Sequence, residues 1–128
     1  MKLHPIAFTI IVWIFNTHSA FAQWTQQVSG TSVGLLDIMF YNENYGAACG
    51  QEGVILITNN GGSEWEQVES GTTAILRGIH LVNENVGYAV GSMGTVLKTT
   101  NGGMDWEQQE AIVSENLLAV FFLDENLG

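Results

Sequence analysis

The hydrophobic and polar positions of this chain fall in short segments that recur with a fixed period of 41 residues. Trp24, Trp65 and Trp106 mark the starts of three units. The first two units are identical at 19 of 41 aligned positions, and the alignment needs no gap. A return at fixed spacing is the signature of a repeat architecture, in which each unit is one supersecondary structure. The fold prediction therefore starts from a single unit.

Each unit is predicted to form four short strands. Residues 35–41 are apolar at nearly every position, which is typical of an inner strand covered on both faces. Small residues fill 45–49, and β-branched or other apolar residues fill 54–58. Residues 65–69 alternate in polarity and are predicted to form a half-exposed outer strand. No window carries the apolar stripe and caps that would indicate a helix.

Four strands in about 40 residues make the blade of a β-propeller, a ring of roughly four to eight blades. We therefore predict an all-β fold whose blades are sheets of four antiparallel strands. Residues 23–128 are the partial propeller, and its last unit is truncated. We expect a fragment of a longer protein with an open edge that favours association. A small stand-alone β-sandwich is the alternative fold.

The first 22 residues have the layout of a secretory signal peptide. Lys2 supplies the positive start, residues 6–15 are apolar apart from Thr9, and Ala20 and Ala22 are small residues suited to a cleavage site. The apolar run is shorter than the roughly 20 residues that a membrane span needs. We expect cleavage after Ala22, a secreted or periplasmic protein, and no membrane insertion after cleavage.

Charge excludes two classes of partner. Beyond the predicted signal, Arg77 and Lys98 are the only fixed cations, against 13 aspartates and glutamates. Nucleic-acid binding requires a basic footprint, and an anionic membrane surface attracts the same kind of residue. We therefore predict neither partner. Cys49 is the single cysteine and aligns with Val90 of the next unit, so we predict a buried core residue.

A turn motif closes each unit with the spacing Thr-x-Asn-x-Gly-x-x-Trp. This spacing resembles the Asp-box, or bacterial neuraminidase repeat, with Asn in the Asp place. Calcium sites need several converging oxygen ligands, and this turn offers few. We therefore predict a structural role and neither a metal site nor a cofactor. The motif residues are Thr58, Asn60, Gly62 and Trp65 in one unit and Thr99, Asn101, Gly103 and Trp106 in the next.

The whole unit is similar to the repeat of the photosystem II assembly and stability factor family. The similar residues are Gly87 to Gly91, Gly94, and Val96 to Gly103. The resemblance implies a seven-bladed propeller on the lumenal or periplasmic side, which assists membrane-complex assembly in photosynthesis by binding protein. Members are expected to present an arginine-rich surface to the client, whereas Arg77 is the only arginine here.

Two readings of the function remain. The preferred one is a non-catalytic, exported module that binds protein; the alternative is a xyloglucanase- or sialidase-like glycoside hydrolase, with carbohydrate as a possible partner. Sialidases need clustered arginines, and other glycosidases need two carboxylates about 5 to 10 Å apart. Asp37 breaks the repeat, because Gly78 and Ala119 stand at its position, but no partner carboxylate can be assigned. A solvated, channel-lining acid is the simpler interpretation of Asp37.

The binding surface is predicted from propeller geometry. The fourth-to-first and second-to-third connections share one rim, and here they vary between units, whereas the Asn-Glu-Asn and Asn-Gly-Gly turns of the opposite rim do not. Variation on a constant frame suits recognition. The candidate binding residues are Gln51, Glu52, Ser92 and Met93, with Asp37 at the inner strand.

Overall fold

The computed structural model describes residues 25–128, and it forms two sheets of four antiparallel strands. The all-β prediction and the four-stranded blade are therefore confirmed. The predicted signal peptide, its cleavage site and Trp24 lie outside the described residues. Blade 1 contains β1 (Leu35–Phe40), β2 (Gly46–Gly50), β3 (Ile55–Thr58) and β4 (Glu66–Val68), and blade 2 contains β5 (Leu76–Leu81), β6 (Gly87–Gly91), β7 (Val96–Thr99) and β8 (Glu107–Gln108).

Both blades are simple meanders, in which each strand pairs with the next along the chain. Several strands of blade 1 begin or end one residue inside their predicted limits, because turn hydrogen bonds take over there, while β2 ends one residue beyond its limit. Tyr45, predicted as the start of a strand, instead donates its backbone N–H to the side-chain oxygen of Asn42 at 2.7 Å. Two tight turns, Gln51–Gly53 and Ser92–Gly94, occupy positions where the sequence predicts turns, and their central residues Glu52 and Met93 have left-handed backbone angles.

The third unit lies against blade 2. Leu117 donates its backbone N–H to the carbonyl of Gly91 at 2.9 Å, and a Cβ at Gly78 would lie 3.0 Å from the Cα of Ala119. Residues 117–123, which align with the predicted inner strand 35–41, do not form a regular strand, because the described chain offers them no second strand of their own blade. The one regular pairing in this unit is an isolated bridge between Asp124 and Leu127.

The main core lies between the two blades. Side chains from the facing sides of both sheets form one buried cluster, with Met39 and Val68 packed at its margin. Small residues in β2 allow the sheets to approach closely, as the sequence predicts. The buried members are Tyr45, Ala47, Cys49, Ile55 and Ile57 from blade 1 and Leu76, Ile79, Leu81, Ala89, Leu97 and Trp106 from blade 2 and its closing turn.

The prediction that the inner strand is covered on both faces is wrong for β1. Ile38 is 57% exposed, whereas Ile79, its equivalent in β5, is 3% exposed. Ile38 and Ile79 have the same type and the same place in the repeat, so the difference in exposure comes from the neighbouring blade. Blade 1 covers the face of β5 that carries Ile79, and no described residue covers the matching face of β1.

The two tryptophans that close the described turns differ for the same reason. Trp106 is buried at the blade interface, and its indole N–H donates to the carbonyl of Gly103 at 3.0 Å. Trp65 is only half-buried and meets the ring of Phe40 edge-on, with 5.9 Å between the ring centroids. Within residues 25–128, no helix is long and apolar enough to cross a membrane.

Candidate functional site

The closing turn of blade 1 is held by its own side chains. The hydroxyl of Thr58 accepts the N–H of Gly62 at 2.9 Å and donates to the side-chain oxygen of Asn60 at 3.0 Å. That oxygen also accepts the N–H of Glu64 at 2.9 Å. Gly61 and Gly62 have φ values of 69° and 86°, which explains two consecutive glycines in the motif.

The closing turn of blade 2 repeats this geometry. The Thr99 hydroxyl accepts the N–H of Gly103 at 2.9 Å, and the Asn101 oxygen accepts the N–H of Asp105 at 3.0 Å. The motif oxygens that could bind a cation are therefore already engaged by backbone amides. Within the described part of the chain, no group of three or more His, Cys, Asp or Glu side chains is placed to hold a metal ion.

The Asn-Glu-Asn turns join neighbouring blades. The side-chain amide of Asn42 donates to the carboxylate of Glu84 at 3.3 Å, and Asn83 donates in the same way to Glu125 at 2.6 Å. Each asparagine also caps its own turn through its side-chain oxygen. The same amide–carboxylate pair thus connects unit one to unit two and unit two to unit three. This contact gives a structural reason for the constancy of this rim.

The structure brings the four predicted rim residues to the opposite end of the blades. Gln51 donates its backbone N–H to Gly34 at 2.9 Å, which places the turn 51–53 beside the connection that enters β1. Ser92 accepts the N–H of Ile75 at 3.0 Å and donates to its carbonyl at 3.1 Å, so the turn 92–94 lies beside the connection that enters β5. Gln51, Glu52 and Met93 are exposed, whereas Ser92 is half-buried.

Asp37 lies apart from that rim group, on β1, and faces blade 2. One carboxylate oxygen accepts the N–H of Ile38 and the other accepts the N–H of Ile79, both at 2.9 Å. The Asp37 carboxylate therefore links the two blades through backbone amides, and its predicted place beside a channel stays a prediction. Gly78 occupies the equivalent position in blade 2, where the backbone of Ala119 approaches directly.

Sequence reasoning missed two buried polar side-chain atoms. The hydroxyl of Tyr45 and the Nε of Arg77 have no hydrogen-bond partner among the described residues. Burial, and secondarily the charge of Glu84, raises the pKa of Tyr45. Tyr45 replaces the Val86 of the next unit, and this break in the repeat was the available signal. Cys49 is buried, as predicted.

The repeat and its blades are similar to known proteins. Residues 63–125 match the family model described as "Photosynthesis system II assembly factor YCF48". A solved structure described as "YCF48 bound to D1 peptide" is 28% identical, with a TM-score of 0.55. These matches support a photosystem II assembly factor-like β-propeller family for the blades. Among curated proteins, no match was found.

The assembly factor-like blades also match a solved structure of YCF48 from Cyanidioschyzon merolae, with a TM-score of 0.71 and 18% identity. That identity supports the shared fold alone. The match covers 83% of this chain and 37% of that structure, while the match to the peptide complex covers 62% of this chain and 26% of that one. The chain therefore spans about a quarter to a third of the length of these relatives.

Proposed function

We propose that this chain is part of an exported, non-catalytic β-propeller that binds a client polypeptide in the manner of photosystem II assembly factors. The observation that carries the proposal is the match of the repeat to that family, together with the relative described as bound to a D1 peptide. The client of this chain is proposed to be a protein, and a photosynthetic client is the one that the family similarity favours.

The binding surface of the proposal is the rim that contains the turns 51–53 and 92–94. Their exposed side chains differ between the blades, while their backbones are fixed by the neighbouring connections. The opposite rim uses polar residues that recur in each unit for turn capping and for inter-blade contacts. A surface with variable side chains on a fixed frame suits a polypeptide ligand.

A glycosidase receives less support from the same residues. Asp37, the best single carboxylate candidate, accepts a backbone N–H at each oxygen and has no assigned partner carboxylate. Arg77 is the only arginine of the sequence, and a site for an anionic sugar needs several. Protein binding without catalysis is therefore the function proposed.

The proposal is tested with an immobilised array of 12-residue peptides of mixed charge and hydropathy, probed with the labelled chain. Neutral glucan oligosaccharides on the same surface serve as the competing ligand class. We expect peptide binding that changes when Gln51 and Glu52 are exchanged for the Ser-Met pair of blade 2, with an unchanged circular dichroism spectrum. Binding of the oligosaccharides alone, or a lost fold in the exchange variant, would contradict the proposal.

Export is tested separately. We expect the protein recovered after secretion or from the periplasm to begin at Gln23, as read by intact mass. Recovery of an uncleaved chain from the cytoplasm would remove export from the proposal.

A further inference from the structure

The two turns on the variable rim share a backbone conformation that their residues disfavour. Glu52 has φ 56° and ψ 23° and is followed by Gly53 at φ 71°; Met93 has φ 56° and ψ 37° and is followed by Gly94 at φ 66°. A hydrogen bond of 3.1 Å from Val54 N–H to the Gln51 carbonyl closes the first turn. This is a type I′ hairpin turn, whose first central position favours asparagine, aspartate or glycine.

The fold uses glycine for this conformation everywhere else. Among residues 25–128, every other positive φ belongs to a glycine, and Glu52 and Met93 are the two exceptions. The side chains of Glu52 and Met93 make no contact in the described fold that would offset the unfavourable backbone conformation. Met93 is 73% exposed, Glu52 is exposed, and neither side chain makes a hydrogen bond to a described residue. The turn requires a positive φ here but not a glutamate or methionine, so these two side chains are candidates for a role outside the fold.

Both turns hold their side chains on a packed frame. A Cβ at Gly53 would lie 2.0 Å from the carbonyl oxygen of Thr72, and one at Gly94 would lie 1.9 Å from that of Val113. Gly94 also donates its N–H to Glu115 at 2.7 Å. The turn backbones are therefore fixed against the following connection, while the side chains of Glu52 and Met93 point away from these contacts into solvent. A fixed backbone with a free side chain reduces the ordering cost of binding.

We propose that Glu52 and Met93 are contact residues for a client segment that combines basic and apolar side chains. This inference rests on the proposed function and adds the chemistry of the client. A carboxylate attracts lysine or arginine, and the flexible thioether of methionine adapts to varied apolar side chains. An acidic segment is disfavoured, because the chain has 13 acidic residues and only 3 lysines and arginines.

The test combines stability and binding, which are expected to change in opposite directions. Glu52→Asn and Met93→Asn place the favoured residue in each turn, so we expect each to raise the melting temperature by about 2–6 °C. On the peptide array, wild type should prefer segments with basic and apolar residues. Glu52→Asn should weaken binding of the basic segments, and Met93→Asn binding of the apolar ones, by about tenfold.

The control is Glu43→Asn, which removes one carboxylate from the opposite rim and should leave peptide binding unchanged. If both turn variants gain stability and keep full binding, the turns are structural and the inference fails, while the proposed function stands. The inference also fails if Glu43→Asn weakens binding as much as Glu52→Asn does. If wild type binds no peptide on the array, the inference and the proposed function fail together.

Discussion

Replacing Thr99 by valine should weaken the closing turn of blade 2 without leaving a cavity. Thr99 is buried, and its hydroxyl makes three contacts: it donates to the Asn101 oxygen at 3.1 Å and accepts the N–H groups of Asn101 at 3.4 Å and Gly103 at 2.9 Å. Valine has nearly the same shape and no hydroxyl. The substitution therefore isolates the hydrogen bonds from the packing.

The expected loss follows from the groups left behind. Gly103 is buried, and its N–H loses its acceptor, which costs about 1–3 kcal/mol. The 3.4 Å contact is long and contributes little, and the Asn101 oxygen still accepts the N–H of Asp105. A further ~1 kcal/mol is lost with the hydrogen bond that the hydroxyl donated. We expect Thr99→Val to lower the free energy of unfolding by about 2–4 kcal/mol.

Urea denaturation followed by tryptophan fluorescence measures this loss, because Trp106 bonds to the carbonyl of Gly103 in the same turn. Thr99→Ser is the matched control. It keeps the hydroxyl and loses a methyl group, so its cost should be near 1 kcal/mol. If Thr99→Val changes the free energy by less than 0.5 kcal/mol, or costs no more than Thr99→Ser, the hydroxyl does not organise the turn.

Two further substitutions probe buried polar groups at the blade interface. Tyr45→Phe removes a buried hydroxyl without a partner in the described chain, so we expect it to raise the free energy of unfolding by about 1 kcal/mol, and a loss of similar size would show that the hydroxyl has a partner. Burial, and secondarily the charge of Asp37, raises the pKa of the Cys49 thiol from 9.0 to about 12. The stability from a neutral thiol is therefore complete below pH 9 and is lost as pH rises from 9 to 12, by about 4 kcal/mol in total. Cys49→Ala should be less stable at pH 7 but should lose less stability between pH 9 and 12, and equal losses in both proteins would contradict the raised pKa.

The repeat made much of the fold predictable. Strand number, order and turn positions follow from a period that places Gly46 with Gly87 and Thr58 with Thr99, and the structure repeats the same pairings in both blades. Local turn chemistry was equally readable, because asparagine and two glycines specify their own hydrogen bonds. Such features depend on residues close in sequence.

The features that sequence reasoning missed depend on the neighbouring unit. Asp37 bonds to Ile79 of the next blade, and Tyr45 is buried at the same interface; both positions differ between units. A break in the repeat therefore marked the residue, but its partner came from the packing of two sheets. The left-handed backbone at Glu52 and Met93 could not be predicted for another reason, because glutamate and methionine rarely adopt a positive φ.

The exposed face of β1 follows from the same dependence on neighbours. The repeat gives Leu35, Ile38 and Phe40 the places that Leu76, Ile79 and Leu81 hold in β5, where all three are buried. A blade of this type has two apolar faces, so its stability is the sum of its own contacts and those with each neighbour. Blade 2 is covered by blade 1 on one side and by the third unit on the other. The apolar pattern of β1 is therefore the pattern that β5 buries against its neighbouring blade.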